Sequence, residues 1–309
     1  MLIEFITDGL GKMAQDEADE DIRRIKGSCW PSDASIKYTN SVGIDVVEGS
    51  CLRELYYKYT EKPTNVNSSK LKLLQAMGKS AEEVVSTALT RGHDASIISH
   101  NEKTTFQPSG YPFIISLEFD LIVNILFDRN IGLEIKTGGG YMFTKDVIKG
   151  SIRDHVPAKP RTSHLLQAAI YLDKERQEPK YDIKEWSLLY IERGSCDEMK
   201  EYVVTLDDKL NIYVDGEETG YDLHSVYDRY YQLTNALVTE QIPNRDFQII
   251  YDDETVEKLF KYDMISKTKY TDWTKGRPVG DWQCQYCSFK DKCWDIQDGI
   301  PNILEPEDE

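Results

Sequence analysis

Two sets of side chains in this chain have the types and spacing to do chemistry. Near the C-terminus, Cys284, Cys287 and Cys293 stand as C-x2-C-x5-C within CQYCSFKDKC. Three thiols in so short a stretch suit a soft metal centre, either zinc or an iron-sulfur cluster, because thiolates are ligands for both. A fourth ligand has to come from elsewhere. Cys51 is the candidate, since it opens CLRELYYKYT, whose apolar and aromatic positions recur at helical spacing. The second set is acidic: Glu82, Asp120 and Glu134, the last followed after Ile135 by Lys136. Two or three carboxylates hold one or two divalent cations, which neutralise a phosphodiester and lower the pKa of an attacking water. A neighbouring lysine orients that water or stabilises charge developing on phosphorus. On this reading Asp120, Glu134 and Lys136 are catalytic. Glu82 completes the ligand shell, and the backbone carbonyl of Ile135 adds an oxygen.

These side chains need elements to position them. LKLLQAMGKSAEEVVSTAL, from Leu71 to Leu89, repeats apolar residues at i, i+3, i+4 and i+7 and predicts a helix, with Glu82 on the side shared by Leu71, Gly78, Val85 and Leu89. YPFIISLEFDLIVNILF, from Tyr111 to Phe127, and IGLEIKT, from Ile131 to Thr137, predict two strands joined by the turn-like DRN. Alternation along a strand puts Glu134 and Lys136 on one face and Ile135 on the other, and the hairpin brings Asp120 beside them. Glu118 shares a strand face with Asp120 and is a further candidate. SHLLQAAIYLDKE predicts a helix with Gln167 and Tyr171 four apart on one face. The Glu-x-Lys pattern also occurs at Glu178 with Lys180 and at Glu198 with Lys200, where solvated surface pairs are expected.

The order Gly78-x3-Glu82, Asp120, Glu134-Ile135-Lys136, Gln167-x3-Tyr171, bracketed by Cys51 and the cysteine cluster, resembles the RecB-like branch of the PD-(D/E)XK nucleases. Within it the chain looks most like the iron-sulfur members, among them the CRISPR-associated RecB-like exonucleases and the AddB nuclease domain. The resemblance spans about residues 45 to 297. It implies an α/β fold with a PD-(D/E)XK restriction-endonuclease-like core, a central mixed sheet flanked by helices. It also implies a Mg2+ or Mn2+ active site and a four-iron four-sulfur cluster on Cys51, Cys284, Cys287 and Cys293 that joins the ends of the fold. The resemblance, not the spacing, favours iron and sulfur over zinc. Gln167 and Tyr171 match the family's QxxxY motif and inherit its place near the active site and the DNA. Two positions depart from the pattern: Glu82 stands where many members carry histidine, and Leu117 where glycine is frequent.

Length and composition fit this reading. The 309 residues are 40% hydrophobic, enough for a substantial core, and no apolar run approaches a membrane span. The opening residues lack a basic stretch before an apolar one and so do not read as a secretory signal; with thiols that include Cys29 and Cys196, expected to be free, this points to a reducing cytoplasm. The expected organisation is an appended helical and loop element over residues 1–44, the nuclease domain over 45–297 and an acidic tail over 298–309. A net charge of -17 is unusual for a DNA-binding protein, but phosphate binding depends on local cations. Between Lys136 and Arg161 the basic residues Lys136, Lys145, Lys149, Arg153, Lys159 and Arg161 face only Asp146 and Asp154. Lys149, Arg153 and Arg161 are therefore candidates for substrate phosphates, with Tyr141, Phe143 and His155 as rings for stacking. No GxxxxGK[ST] sequence is present, so a helicase or recombination partner would be another chain. The expected activity is a metal-dependent DNA nuclease, an exonuclease on single-stranded ends. The alternative is a noncatalytic DNA-end-binding partner in a recombination or integration complex.

Overall fold

The computed structural model describes residues 28–61, 69–92, 94–126, 128–151, 155–194 and 198–296, together with Lys12. Strands β1 (Ser28–Cys29), β2 (Ser35–Thr39) and β3 (Asp45–Gly49) lead into helices α1 (Leu52–Thr60) and α2 (Ser69–Arg91). Three long strands follow, β4 (Ala95–Phe106), β5 (Ile114–Ile125) and β6 (Arg129–Gly138), then a short helix α3 (Tyr141–Phe143) that runs on into a π-helical turn, Thr144–Lys149. Helix α4 (Thr162–Gln177) precedes β7 (Trp186–Glu192), β8 (Met199–Leu206), β9 (Asn211–Val214) and β10 (Glu217–Asp222). The chain closes with α5 (Leu223–Thr239), α6 (Asp253–Lys261), α7 (Lys267–Thr274), α8 (Trp282–Tyr286) and α9 (Lys290–Cys293). No helix among the described residues is long and apolar enough to cross a membrane.

The architecture is α/β: a central mixed sheet of eight strands in the order β1-β5-β6-β7-β8-β9-β10, with β4 also paired to β5, flanked by helices. The β6–β7 pair is parallel, as its crossover through α4 requires, and β5 is antiparallel to both β4 and β6. Helix α2 packs on one face, where Val85 and Leu89 meet Leu121, Val123, Ile131, Leu133 and Ile135. Helix α4 covers the other, and every residue from Leu165 to Glu175 is buried. A helix buried on all sides carries no amphipathic stripe, so its polar residues need internal partners. Asp173 accepts from Tyr227 Oη at 2.6 Å and Gln177 Nε2 at 2.7 Å, and Lys174 pairs with Glu175 at 3.1 Å.

One irregularity in β5 matters for function. Both β1 and β6 pair with the same edge of β5, β1 at Ile114 and Ile115 and β6 from Leu121 to Ile125, while β4 runs along the opposite edge. Between those two pairings, residues 116–120 have no strand partner on that edge among the described residues. The side-chain alternation also slips there. Leu117, Phe119 and Ile122 point into the core beneath α4, whereas Leu121 and Val123 point into the core beneath α2. Asp120 sits at the slip, where β5 and β6 part.

The N-terminal expectation needs correction. Residues 1–27, apart from Lys12, lie outside the described residues, as do residues 297–309, which include the whole of the expected acidic tail, 298–309. Residues 28–44 are not an appended helix and loop: β1 joins the sheet, β2 pairs with β3, and Cys29, Ala34 and Ile36 lie in the main core. The strands belong to the domain because their apolar side chains enter its cores, Cys29 and Ile36 the main one and Val47 the cluster around Phe247 and Trp294.

A buried ion pair ties this N-terminal region to the C-terminal half. Arg229 of α5, 3% exposed, donates through Nη1 and Nη2 to both carboxylate oxygens of Asp246 at 2.9 and 2.7 Å. Its Nε donates to Ser35 Oγ at 3.1 Å, and Asp246 Oδ2 also accepts the Leu52 N–H at 2.7 Å. The carboxylate thus caps the first turn of α1, next to Cys51. Removing one partner strands the other as an uncompensated buried charge, which costs about 3–5 kcal/mol. Asp246→Ala is therefore expected to lower unfolding free energy by about that amount, and a urea titration in which the variant matched the wild type would contradict it.

Candidate active site and thiol cavity

The fork in β5 assembles the acidic site. The β5–β6 ladder ends at Leu121↔Leu133, which frees the Ile135 N–H, and Asp120 Oδ2 accepts it at 2.9 Å. Asp120 is thereby fixed beside Glu134 and Lys136, which emerge on one face as alternation requires while Ile135 enters the opposite core. Glu134 is 1% exposed. Its Oε1 accepts from Lys136 Nζ at 2.5 Å and from Gln167 Nε2 at 2.8 Å, whereas its Oε2 is buried with no hydrogen-bond partner. Glu82 approaches from α2, half-buried, and lies close enough to feel Asp120, Glu134 and Lys136 electrostatically. A Cβ at Gly78, one turn earlier, would stand in ordinary contact with Thr137 of β6. Glu118 points toward solvent far enough to pair with Lys103 at 3.7 Å, yet its charge still reaches Asp120 and Glu82.

All three candidate ligands resist ionisation. Burial pushes the Glu134 carboxyl up to about 8, and the neighbouring Asp120 and Glu82 add to it while Lys136 opposes. Asp120 and Glu82 are raised for the same reason, burial first and then carboxylate neighbours. Lys136 is shifted upward by Glu134, Asp120 and Glu82, which outweigh its own desolvation, so it stays an ammonium. No group of three or more His, Cys, Asp or Glu side chains among the described residues is gathered tightly enough to hold an ion as it stands. The donor set nevertheless fits a hard cation. Three oxygen donors repel one another around a single lysine, and the orphaned Oε2 of Glu134 has a lone pair with nothing to receive it.

Gln167 and Tyr171 require a correction. Tyr171 is 2% exposed and Gln167 7%, so neither offers a surface to substrate. They form a relay instead. Gln167 Nε2 reaches Glu134 and also Tyr171 Oη at 2.6 Å, and Tyr171 Oη donates to the carbonyl of Glu118 at 2.9 Å. The pair positions the carboxylate from the helix beneath it.

The basic segment is only partly available to a ligand. Arg153 and Cys196 lie outside the described residues. Lys149, still largely exposed, is ion-paired with Glu198, which corrects the expectation of a solvated Glu198–Lys200 pair. Lys200 instead lies over the Tyr202 ring at 5.1 Å. Lys180 likewise pairs with Glu102 at 2.7 Å rather than with Glu178. Arg161 remains at the surface, its guanidinium 5.6 Å from the centre of the Phe143 ring. His164 was missed in the sequence. It is half-buried, close enough to Lys136 to feel its charge, with Nδ1 2.9 Å from Tyr190 Oη, and desolvation first, then Lys136 and Arg161, hold it well below the ordinary histidine range, hence neutral. A lone histidine on a helix gives no signal until the strand carrying Tyr190 is placed beside it.

Cys51, Cys284, Cys287 and Cys293 line one cavity with Tyr57, Phe247 and Trp294. Cys51 is the N-cap of α1, Cys284 lies on α8, Cys287 follows it, and Cys293 ends α9. The Phe289 N–H donates to Cys287 Sγ at 3.4 Å. Burial, then Asp246, pushes Cys51 up to about 12; burial, then Glu54, does the same to Cys287; Cys284 is raised by burial and by Cys51. Such thiols are poor nucleophiles. They ionise readily only against a metal centre, whose positive charge inverts that preference. Arg245 supplies a cation at the cavity wall, stacked 3.9 Å from the centre of the Trp294 ring and donating to the Cys293 carbonyl at 2.7 Å. Four thiols in an apolar lining suit a soft metal and not a hard one. Cys29, by contrast, is buried in the main core as a free thiol.

The acid site predicts a pH dependence of its own. Glu134 holds its proton more tightly in the folded chain than in the unfolded one, so it favours folding below its ordinary value of 4.5 and loses that contribution as pH rises through about 8. In EDTA, wild-type stability should therefore fall between these limits, at most by about 1.4 kcal/mol per pH unit for each proton involved. Glu134→Gln, which cannot ionise, should flatten most of the slope. A wild-type profile that rose across this window would contradict the burial of an uncompensated acid.

No protein-family model matches the chain, and no curated protein does. Among solved structures, one described as "Crystal structure of SSO0001" superposes with a TM-score of 0.44 at 16% identity, over 99% of this chain and 98% of that one.

Proposed function

We propose that the protein is a metal-dependent DNA nuclease of the RecB-like PD-(D/E)XK type, acting on single-stranded ends, with an iron-sulfur cluster as a structural centre. The observation that supports it best is the trio Glu82, Asp120 and Glu134 around Lys136, with a buried carboxylate oxygen left unpartnered at its centre. An isolated structural acid would be paired or exposed; a trio held together against its own repulsion suits a cation. A divalent cation, when bound by Glu82, Asp120, Glu134 and the carbonyl of Ile135, supplies charge neutralisation at phosphate and acidifies a water. The chain's own residues do the rest. Ile135 N–H orients Asp120, Gln167 and Tyr171 hold Glu134, and the protonated Lys136 stands ready to orient the attacking water or to stabilise an oxyanion at phosphorus.

The cysteine cavity supports the second part. Its four thiols come from the two ends of the fold, and a cluster there would fasten α1 to α8 and α9. Free thiols also fit a reducing compartment.

Two measurements test the reading. Anaerobically purified protein, given end-labelled single-stranded and duplex DNA, should cut in Mn2+ or Mg2+ and not in EDTA. Asp120→Ala should abolish cutting, whereas Gln167→Ala should slow it about 10- to 100-fold, as loss of a group that positions a metal ligand does. Intact DNA with metal-replete wild type would favour the noncatalytic end-binding alternative. Elemental analysis of the same sample should find iron and acid-labile sulfide, both lost in Cys284→Ser. Zinc in their place would sink the cluster while leaving the nuclease standing.

A further inference from the structure

The middle turns of α4 serve the acid site, but its first turn opens onto something else. A groove of about 780 Å3 lies there, within the range of about 300–1,000 Å3 that holds small-molecule-sized ligands. Ser32 and four stretches of chain line it: Val47 to Ser50, Met142 to Val147 without residues 144 and 145, Lys159 to Ser163, and Trp282 with Gln283. Trp282 is 61% exposed, unlike Trp186 and Trp294, which are buried in the core. Its ring lies 6.5 Å from that of Tyr286, itself exposed. An exposed indole at a groove gives up the stabilisation of burial and offers a flat face to a ligand.

The charges at the groove narrow the ligand's class. Lys159 and Arg161 bring two cations, and Glu48 and Asp146 two carboxylates. Glu48 is already engaged by the hydroxyls of Tyr38, Tyr221 and Thr162. A duplex carries one charge per about 1.7 Å of axis and needs a strongly positive surface, which a groove without excess charge on a chain of net charge -17 does not supply. A single strand is held differently, by stacking of bases on aromatic rings with a few phosphate contacts.

The groove also communicates with the acid site. Ser163 lines it, and Gln167, which holds Glu134, lies four residues further along α4, about 6 Å at the helical rise. On the other side the chain turns sharply after β6. A Cβ at Gly138 would fall within 2.5 Å of the Phe143 ring, so glycine there lets the segment carrying Met142 and Phe143 fold close over the end of the strand that bears Glu134 and Lys136.

We propose that this groove seats the single strand bound for the acid site, with a base stacked on Trp282 and flanking phosphates on Lys159 and Arg161. The proposal rests on the nucleic-acid reading above. The test is fluorescence anisotropy of a labelled oligothymidylate with the full chain in EDTA, over a series of salt concentrations. Trp282→Ala should weaken binding roughly 5- to 150-fold, the loss of one base–aromatic stack of ~1–3 kcal/mol, and Trp282→Phe should restore most of it. Lys159→Ala combined with Arg161→Ala, away from the cysteines, should make the salt dependence shallower by about 0.7 in log–log slope for each phosphate that is no longer neutralised. Asp120→Ala should bind as tightly as wild type while cutting nothing. If the groove variants bind like wild type with an unchanged salt slope while wild type still cleaves, the groove is overturned and the nuclease stands; if wild type neither binds nor cuts, both fall.

Discussion

The buried carboxylate of Glu134 sets the terms for much of the structure. Ionising an acid out of water costs several kcal/mol unless the charge is compensated, and this one, in a central strand under a helix buried on all sides, is pushed up to about 8 by that cost. Its surroundings read as partial compensation. Lys136 and Gln167 share one oxygen, Tyr171 fixes Gln167 in place, and the divergence of β5 from β6 releases the amide that holds Asp120 nearby. The compensation stops short of the second oxygen. Both donors fall on Oε1, and Oε2 is left bare beside two further acids.

A different electrostatic device holds the fold's ends. The Arg229–Asp246 pair reaches Ser35, Ser50 and the first amide of α1 at once, so the hairpin β2–β3, the start of α1 and the loop after α5 share one buried anchor. Cys51 is placed as a by-product, at the N-cap of α1 facing the turns that carry the other three thiols. The packing of Phe289 against Tyr57, with ring centres 5.7 Å apart, closes the same junction from the apolar side.

The sequence made the local features plain and concealed the tertiary ones. The hairpin from β5 to β6, the helices around Glu82 and Gln167, and the shared face of Glu134 and Lys136 follow from periodicity alone, because each depends on neighbours a few residues away. The role of Tyr171 was hidden because a Gln and a Tyr one helical turn apart look the same whether they face a ligand or a carboxylate in the core. The slip at Asp120 was hidden for another reason: it arises from two strands competing for one edge of β5, and one of them is only Ser28–Cys29. Lys149, Lys180 and Glu198 took partners distant in sequence, which no count of charges along the chain could assign. His164 became legible only with Tyr190 beside it.

The separation of Cys51 from its companions has a consequence for how the protein is made. About 230 residues separate it from Cys284, and at a synthesis rate of roughly 5–20 residues per second Cys51 leaves the ribosome on the order of 10–50 s before the other three. Asp246, the anchor for the turn beside it, also emerges late. During that interval the sheet and α4 can assemble while the junction at Cys51 stays open, so the four-thiol cavity takes shape only after Cys293 has been made.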